Sequence, residues 1–283
     1  MGDLCTIEIE GVDGSLWTVH GPGAGAEGVH LGTSPEGLFD APVRTLWDQT
    51  AFGVGAEFRD VRFEPRDLVF SALIGDFEGR SWQEVDSDWR RAWDYRRDTL
   101  IHVTSESGTR TLACRLFESP ETNAEYGPRV DGFAALTMTV RAGNPFYSSL
   151  PEHNSVTATG AAGSKTLVVS NPTDVPLYLE WALTPGARWT VPDHDFRGGT
   201  RAITMPTQFT SRSVSINTDP LEEQVHVSGL PNAWALMNGI LFINEVPPYT
   251  PETSLTVGWS GASGSPSATV RMRRQWSRPW GLE

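Results

Sequence analysis

The residue types best suited to bind a metal ion lie together in one short run, Asp193-His194-Asp195. Carboxylate and imidazole groups are common metal ligands, and in an extended segment residues 193 and 195 share a face. The sequence offers no second cluster of ligands at a useful spacing. A turn after Trp189–Pro192 accounts for the same residues as a solvated loop, so we expect no metal site.

A glycine-rich run, Gly21–Gly28, invites comparison with phosphate-binding loops. Such loops need a lysine as a point charge and a helix N-terminus behind them, and neither follows here. We interpret Gly21–Gly32 instead as a long flexible loop, or as an arm that lies on a neighbouring molecule.

The sequence contains no recognisable catalytic constellation. Its carboxylates include no pair that stands out for glycoside hydrolysis, and its serines lack the strained turn of a nucleophile elbow. The six histidines are scattered without obvious partners. We therefore predict no catalytic residues and no cofactor-binding residues, in a protein that is not an enzyme.

A basic and aromatic stretch lies near residue 280. It contains Arg271, Arg273, Arg274, Trp276, Arg278 and Trp280. This composition occurs at nucleic-acid and glycan contacts. A last strand with outward arginines, followed by a segment that packs through its tryptophans, explains the same pattern. We favour that second interpretation, with a subunit contact as the next alternative.

Eleven tryptophans could supply stacking platforms for sugars. Seven of them fit the alternation of predicted strands or the stripe of a helix, so we expect them in the core: Trp17, Trp82, Trp89, Trp93, Trp181, Trp259 and Trp276. The other four, Trp47, Trp189, Trp234 and Trp280, have no clear structural place. An exposed one among these would be a candidate for ligand contact.

Charge and composition narrow the class of protein. The net charge is −13, and residues up to Tyr147 include 24 acidic against 13 basic side chains, a balance of −11. A surface that neutralises phosphates must be basic, so we expect no sequence-specific nucleic-acid binding. No segment resembles a membrane span or a signal peptide, which predicts folding in a cytosol without membrane association. Cys5 and Cys114 are then expected as two buried thiols, with a structural disulfide between them as the alternative.

The first half of the sequence predicts β structure around a single helix. Alternation and turn residues indicate two hairpins and three further strands: Ile7–Val19, Phe58–Phe63, Asp67–Ile74, Leu100–Phe117 and Phe133–Arg141. The strand Asp67–Ile74 is almost continuously apolar, which is typical of burial on both faces.

The helix is predicted from a stripe at helical spacing formed by Trp82, Val85, Trp89 and Trp93. A capping box of Ser81 and Glu84 marks its start. We expect the helix to extend to about Asp98, with ion pairs Asp86–Arg90 and Arg90–Asp94 on its outer face. Burial of three indoles requires that the stripe meets a sheet or a partner subunit.

The second half predicts a β-sandwich without a convincing helix. Residues 148–165 are mostly Ser, Thr, Gly, Ala and Asn, which is typical of an interdomain linker. Short alternating strands with Gly and Pro turns follow, including Leu177–Leu183 and Leu255–Trp259. The expected domains are therefore residues 1–147 and 166–283.

The order of these motifs resembles the distal tail protein (Dit) family of long-tailed siphophages. The resemblance rests on Trp89-Arg90-Arg91-Ala92-Trp93, the hairpin run Thr99–Leu112, and the strand ending Asn144-Pro145-Phe146-Tyr147. In the second half it rests on Ser170–Asp174, on Ser215–Pro220, and on the arginine-rich strand before Pro279-Trp280. It extends over essentially the full chain.

This resemblance implies a mainly β protein, with an N-terminal β-sandwich or split-barrel domain carrying one helix and a C-terminal galectin-like β-sandwich. It also implies a minor tail protein of the virion that forms a homohexameric ring at the tail tip. The ring would join the tail tube protein to the hub, tape-measure and receptor-binding proteins of the baseplate used for host attachment, with DNA passing through its lumen. The subunits would be made in the host cytoplasm.

Two other functions remain open from the sequence. The unplaced tryptophans and the sandwich fit a carbohydrate-binding module or a receptor-binding tail appendage. The sugar-binding motif of galectins is not matched, because His153-Asn154 lacks a downstream arginine and no Trp-x-x-Glu-x-Arg follows. A glycosidase is the weakest alternative.

Overall fold

The structure is a computed structural model that describes residues 5–49, 51–123 and 127–283. It divides into two compact units. The first comprises Met1–Ser148 together with Trp276–Gly281, and the second comprises Ser149–Gln275 together with Leu282–Glu283. The prediction of a mainly β fold is confirmed, since strands dominate both units. Within the described residues no helix is long and apolar enough to cross a membrane.

The first unit contains eleven strands and two helices in its described part. They are β1 (Thr6–Glu10), β2 (Leu16–His20), β3 (Val29–Leu31), β4 (Val43–Asp48), β5 (Glu57–Phe63), β6 (Arg66–Gly75), α1 (Trp82–Arg91), β7 (Thr99–Ser105), β8 (Gly108–Leu116), β9 (Glu121–Asn123), α2 (Pro128–Asp131), β10 (Phe133–Ala142) and β11 (Tyr147–Ser148).

The main sheet of this unit is antiparallel and curls into a nearly closed barrel. Its strand order is β2-β1-β7-β8-β10-β6-β3. Alternate residues of each strand enter one apolar core, as the pattern of Ala134, Leu136, Met138 and Val140 in β10 shows. Strand β6 alternates in the same way, so the predicted burial of both its faces is wrong: its second face is only half-buried.

Helix α1 covers this core with Val85 and Trp89 of the predicted stripe, whereas Trp82 is only partly buried and Trp93 is buried just beyond the end of the helix. Val85 and Trp89 are fully buried, and the Trp89 ring meets Trp17 edge-on, 5.4 Å between centroids. The capping box is confirmed, because the Ser81 N–H donates to the Glu84 carboxylate at 2.8 Å. The edge-to-face pairing of indoles adds to their burial in stabilising the helix on the sheet.

The helix ends at Arg91, earlier than the predicted Asp98. The side chain of Asp94 accepts the backbone N–H of Arg96 at 2.6 Å and pairs with Arg97 at 3.1 Å. An aspartate that bonds nearby backbone competes with helix continuation. The predicted Arg90–Asp94 pair is therefore wrong, whereas Arg90 and Asp86 pair as predicted, at 2.9 Å.

The glycine-rich segment Gly21–Gly32 packs on its own unit, so the expectation of an arm on a neighbouring molecule is wrong, whereas residues 21–28 form a loop of turns as the other alternative predicted. The Gly25 N–H donates to the Thr18 carbonyl at 2.8 Å, and Val29–Leu31 forms β3, which pairs with β6. A Cβ at Gly28 would lie 2.9 Å from the Val85 side chain, and Gly28 has φ +89°. Glycine is needed there for close packing and for a left-handed backbone.

The second unit is a sandwich of two antiparallel sheets. Its strands are β12 (Glu152–Thr157), β13 (Ala162–Asn171), β14 (Leu179–Leu183), β15 (Arg188–Pro192), β16 (Ala202–Thr204), β17 (Val214–Asn217), β18 (Val225–Val227), β19 (Thr250–Ser260) and β20 (Ser267–Met272). The short strand β21 (Gln275–Trp276) that follows belongs to neither sheet of the sandwich and pairs with β11. The sheet orders are β12-β20-β14-β17-β18 and β13-β19-β15-β16. Their inner faces share one apolar core that includes Trp181, Trp189 and Trp259.

The predicted linker, residues 148–165, is wrong. Strand β12 and the first part of β13 occupy most of it, and both pair along their length with β20 and β19. The small polar residues that are typical of linkers here point outward, while Val156, Leu167 and Val169 enter the core. The backbone ladder fixes the segment in the sheet, and composition alone does not report that pairing.

The segment Trp276–Gly281 returns to the first unit, which differs from the predicted domain limits. Trp276 is buried beneath the guanidinium of Arg110, 4.2 Å from its ring centroid. Arg110 donates to the carbonyls of Arg278 and Gly281, each at 2.9 Å. The basic and aromatic stretch therefore packs through its tryptophans, as favoured from the sequence.

Candidate functional site

The run Asp193-His194-Asp195 divides its two carboxylates between a buried ion pair and a loop. Asp193 is buried in an ion pair with Arg201, and its carboxylate also accepts the backbone N–H groups of Ile243 and Asn244, at 3.3 and 3.2 Å. Asp195 is half-buried and caps a loop, where the backbone N–H groups of Arg197 and Gly199 that it accepts lower the pKa of its carboxyl. Across the described residues no three or more His, Cys, Asp or Glu side chains are placed to hold an ion.

The four tryptophans left unplaced by the sequence separate into two groups. Trp189 is buried in the sandwich core, and Trp280 lies against Phe39 with 5.2 Å between ring centroids. Trp47 and Trp234 are 55% and 62% exposed. Only these two indoles of the four present a broad surface to a ligand or partner.

Trp47 belongs to an exposed antiparallel ribbon made of β4 and β5. These two strands form a sheet of their own, in which Val43 pairs with Phe63 and Trp47 with Phe58. Every described residue of both strands is exposed. Phe58–Phe63 was predicted as a strand, but its partner Val43–Asp48 was missed.

One face of the ribbon is apolar. Its side chains are Val43, Thr45, Trp47, Phe58, Val61 and Phe63. The Trp47 and Phe58 rings meet edge-on at 5.4 Å, and the indole N–H of Trp47 donates to the Thr45 hydroxyl at 2.9 Å. These contacts show that Thr45, Trp47 and Phe58 share that face.

The opposite face of the ribbon is mostly charged. It carries Arg44, Leu46, Asp48, Glu57, Asp60 and Arg62, with Arg59 in an ion pair with Asp48. The alternation of apolar and polar residues over Val43–Asp48 is the sequence signal that could have predicted this strand. A ribbon with one apolar face open to solvent is typical of a surface that another protein covers.

The same unit contains an open groove of about 530 Å³ with an aromatic rim. Its aromatic rim consists of the lining residues Tyr95 and Phe117, which are 54% and 45% exposed. The guanidinium of Arg141 stacks on Phe117, 3.5 Å from the ring centroid, and pairs with Asp67 at 2.5 Å. The groove thus offers apolar and cationic surface to an aromatic side chain.

In the second unit a smaller groove of about 320 Å³ lies on the five-stranded sheet. Two rows of paired positions line it, and one of them contains Asn217, Glu180, Arg271 and His153. Glu180 is held by Arg271 and Arg273, at 3.3 and 3.1 Å. This polar surface matches the solvated face of an antiparallel sandwich.

Comparisons with known proteins connect this architecture to phage tails. The chain is 30% identical to the minor tail protein Gp27 of Mycobacterium phage L5 over 98% of both chains, and 29% identical to Gp27 of Mycobacterium phage D29 over the same shares. The chain belongs to the phage minor tail protein family. Family membership makes this minor tail protein a structural component of a phage tail. No family profile matches the sequence.

The fold of this minor tail protein is also that of a solved tail structure. The crystal structure of the SPP1 Dit protein is described as a paradigm of the hub adsorption apparatus in phages that infect Gram-positive bacteria. It superposes with a TM-score of 0.64 over 96% of this chain and 98% of that one, at 13% identity. The prediction that the chain has the fold of the distal tail protein family is therefore confirmed.

Proposed function

We propose that this minor tail protein is a distal tail protein, which assembles as a homohexameric ring at the tail tip. The ring joins the tail tube protein on one side to the hub, tape-measure and receptor-binding proteins on the other. The first unit makes the ring and the second projects as a galectin-like sandwich. The protein supplies position and contact surface and has no chemistry of its own.

The observation that carries this proposal is the end-to-end match in both sequence and fold. Similarity to Gp27 extends over 98% of each chain, and the fold match to SPP1 Dit extends over both units. A match limited to one domain would not show that the two proteins share the architecture of the whole chain. The match over the full length instead supports the same kind of assembly role, because both units and their order are common to the two proteins.

The acidic balance of the first unit fits a channel for DNA. Residues up to Tyr147 contribute a net charge of −11. A wall with the same sign as the phosphate backbone repels it, so that DNA slides through without being retained.

Negative-stain electron microscopy of the purified chain tests the proposal directly. We expect closed rings with a central hole and six-fold symmetry. Light scattering coupled to size exclusion should give the mass of six chains at the concentrations used for imaging. A chain that stays monomeric in both measurements, with or without purified tail tube protein, would contradict the proposal.

A carbohydrate-binding or receptor-binding appendage is a second candidate, and the exposed indole of Trp234 favours it. An open tryptophan is a common stacking platform for sugars. Binding of host cell-wall polysaccharide that is lost in Trp234→Ala would support this role. Trp189 does not serve as a second platform, because it is buried in the core.

A further inference from the structure

The ribbon of β4 and β5 can be assigned a partner. We propose that its apolar face is covered by a second copy of this chain, so that Trp47 and Phe58 of one copy enter the groove between Tyr95 and Phe117 of the next. The inference rests on the proposed ring and names the contact that closes it.

The ribbon needs a covering surface because no third strand extends its sheet among the described residues. Its strands pair only with each other among the described residues, and isolated two-stranded ribbons are marginal in water. Its uncovered apolar side chains are Val43, Trp47, Phe52, Val54, Phe58, Val61 and Phe63. Together they expose roughly 800 Å², the area that one partner contributes to a stable interface.

The cover does not come from the ribbon's own unit. At its base the Phe63 ring touches Phe146, 4.8 Å between centroids. Beyond that contact the ribbon continues for about 20 Å at the usual rise per strand residue. Trp47 and Phe58 remain half exposed there, and Phe52 is fully exposed. The outer half of the ribbon is therefore free to reach another molecule.

The groove offers a surface that is complementary to the apolar face of the ribbon. Its aromatic rim can receive the Trp47 and Phe58 rings edge-on, and the stacked guanidinium of Arg141 offers a cationic face to an indole. Ribbon and groove are two different surfaces of one chain. A contact that joins different surfaces is heterologous, and repeated contacts of this kind close into a ring when the rotation allows it.

A paired set of variants tests the contact. Trp47→Ser with Phe58→Ser removes the apolar face, and Arg44→Ser with Arg62→Ser is the matched control on the opposite face. We expect the first pair to raise the half-assembly concentration at least tenfold and the control to leave it within twofold. Circular dichroism should be unchanged in both, because all four side chains are exposed. Rings that form equally well in the first pair would overturn the inference while leaving the proposed function intact.

Mixing two variants that each carry one added cysteine locates the receiving surface. Trp47→Cys chains mixed with Phe117→Cys chains should form disulfide-linked dimers under mild oxidation, whereas Leu46→Cys chains, altered on the opposite face, should not. Burial raises the pKa of the native Cys114 thiol, which keeps it out of the exchange. Absence of the Trp47–Phe117 link in assembled rings would overturn the groove assignment. A wild-type chain that never assembles would contradict the proposed function as well.

Discussion

Arg66 shows how a single side chain organises the first unit. Its guanidinium is fully buried and donates to the backbone carbonyls of Leu38, Pro145 and Ser277, at 3.0, 2.8 and 2.6 Å. Burial lowers its pKa, yet an arginine stays protonated in a protein. The ring of Tyr147 lies 4.9 Å from the guanidinium carbon. Arg66 therefore ties together three segments that are distant in the sequence.

We expect Arg66→Lys to destabilise the first unit by about 2–4 kcal/mol, because one ammonium cannot reach all these carbonyls and buried acceptors lose their donors. Equilibrium unfolding in urea measures the loss in the free energy of unfolding. Hydrogen exchange in β6 and β10 shows whether the loss lies in the first unit. Arg62→Lys on the exposed ribbon is the control and should change stability by less than about 0.5 kcal/mol. An unchanged unfolding midpoint in Arg66→Lys would show that the carbonyls find other donors.

Segment Trp276–Gly281 is the element whose position is least expected from its place in the sequence. It follows the last long strand of the second unit but belongs to the first, where Arg66 and Arg110 bind its carbonyls. Trp276 is buried there under Arg110. The segment completes the first unit in the way that a late strand completes a barrel, by supplying backbone acceptors to buried donors.

Deletion of residues 276–283 should lower the stability of the first unit by several kcal/mol, because it exposes the Trp276 site and removes backbone acceptors from two buried guanidinium groups, those of Arg66 and Arg110. Hydrogen exchange should rise in β6 and β8 and stay unchanged in β14. A chain that lacks only Leu282 and Glu283 is the control and should match the wild type. Equal protection in both truncated chains would mean that the segment only rests on the surface.

At the scale of the whole molecule, charge is distributed unevenly between the two halves of the chain. The residues up to Tyr147 carry −11 of the net charge of −13, and many carboxylates there pair with arginines on the same unit, as Asp67 does with Arg141. The excess of negative charge determines the electrostatic interaction of this region with a neighbouring molecule or with a polyanion. In a ring that excess is multiplied by the number of copies.

We predict that a reconstruction of the assembled ring shows an excess of acidic side chains on the wall of its hole. Assembled rings should also fail to retain linear double-stranded DNA in a filter-binding assay at about 50 mM salt, where phosphate contacts are strongest. A DNA-binding domain of similar size, measured in parallel, is the control. A basic wall, or DNA retention that disappears as salt rises, would contradict the proposed role of the charge.

The sequence by itself determined which residues share a face. The stripe of Trp82, Val85 and Trp89, the alternation in β10 and the hairpin of β7 and β8 follow from periodicity, because local geometry repeats every 3.6 or 2 residues. The same reasoning predicted a solvated loop for Asp193 and Asp195, which is wrong for Asp193 because its carboxylate is buried against Arg201. The family resemblance also came from the sequence alone, because it rests on the order of motifs along the chain.

Only the tertiary structure decided what each face meets. Residues 148–165 have the composition of a linker but form strands, and Gly21–Gly32 has that of a flexible arm but packs on the core. Strands β4 and β5 alternate apolar and polar residues as half-buried strands do, yet the apolar face that they form is exposed to solvent. Periodicity fixes the direction of a side chain relative to its neighbours. Whether a core, a distant backbone segment or solvent lies in that direction depends on contacts between residues far apart in the sequence.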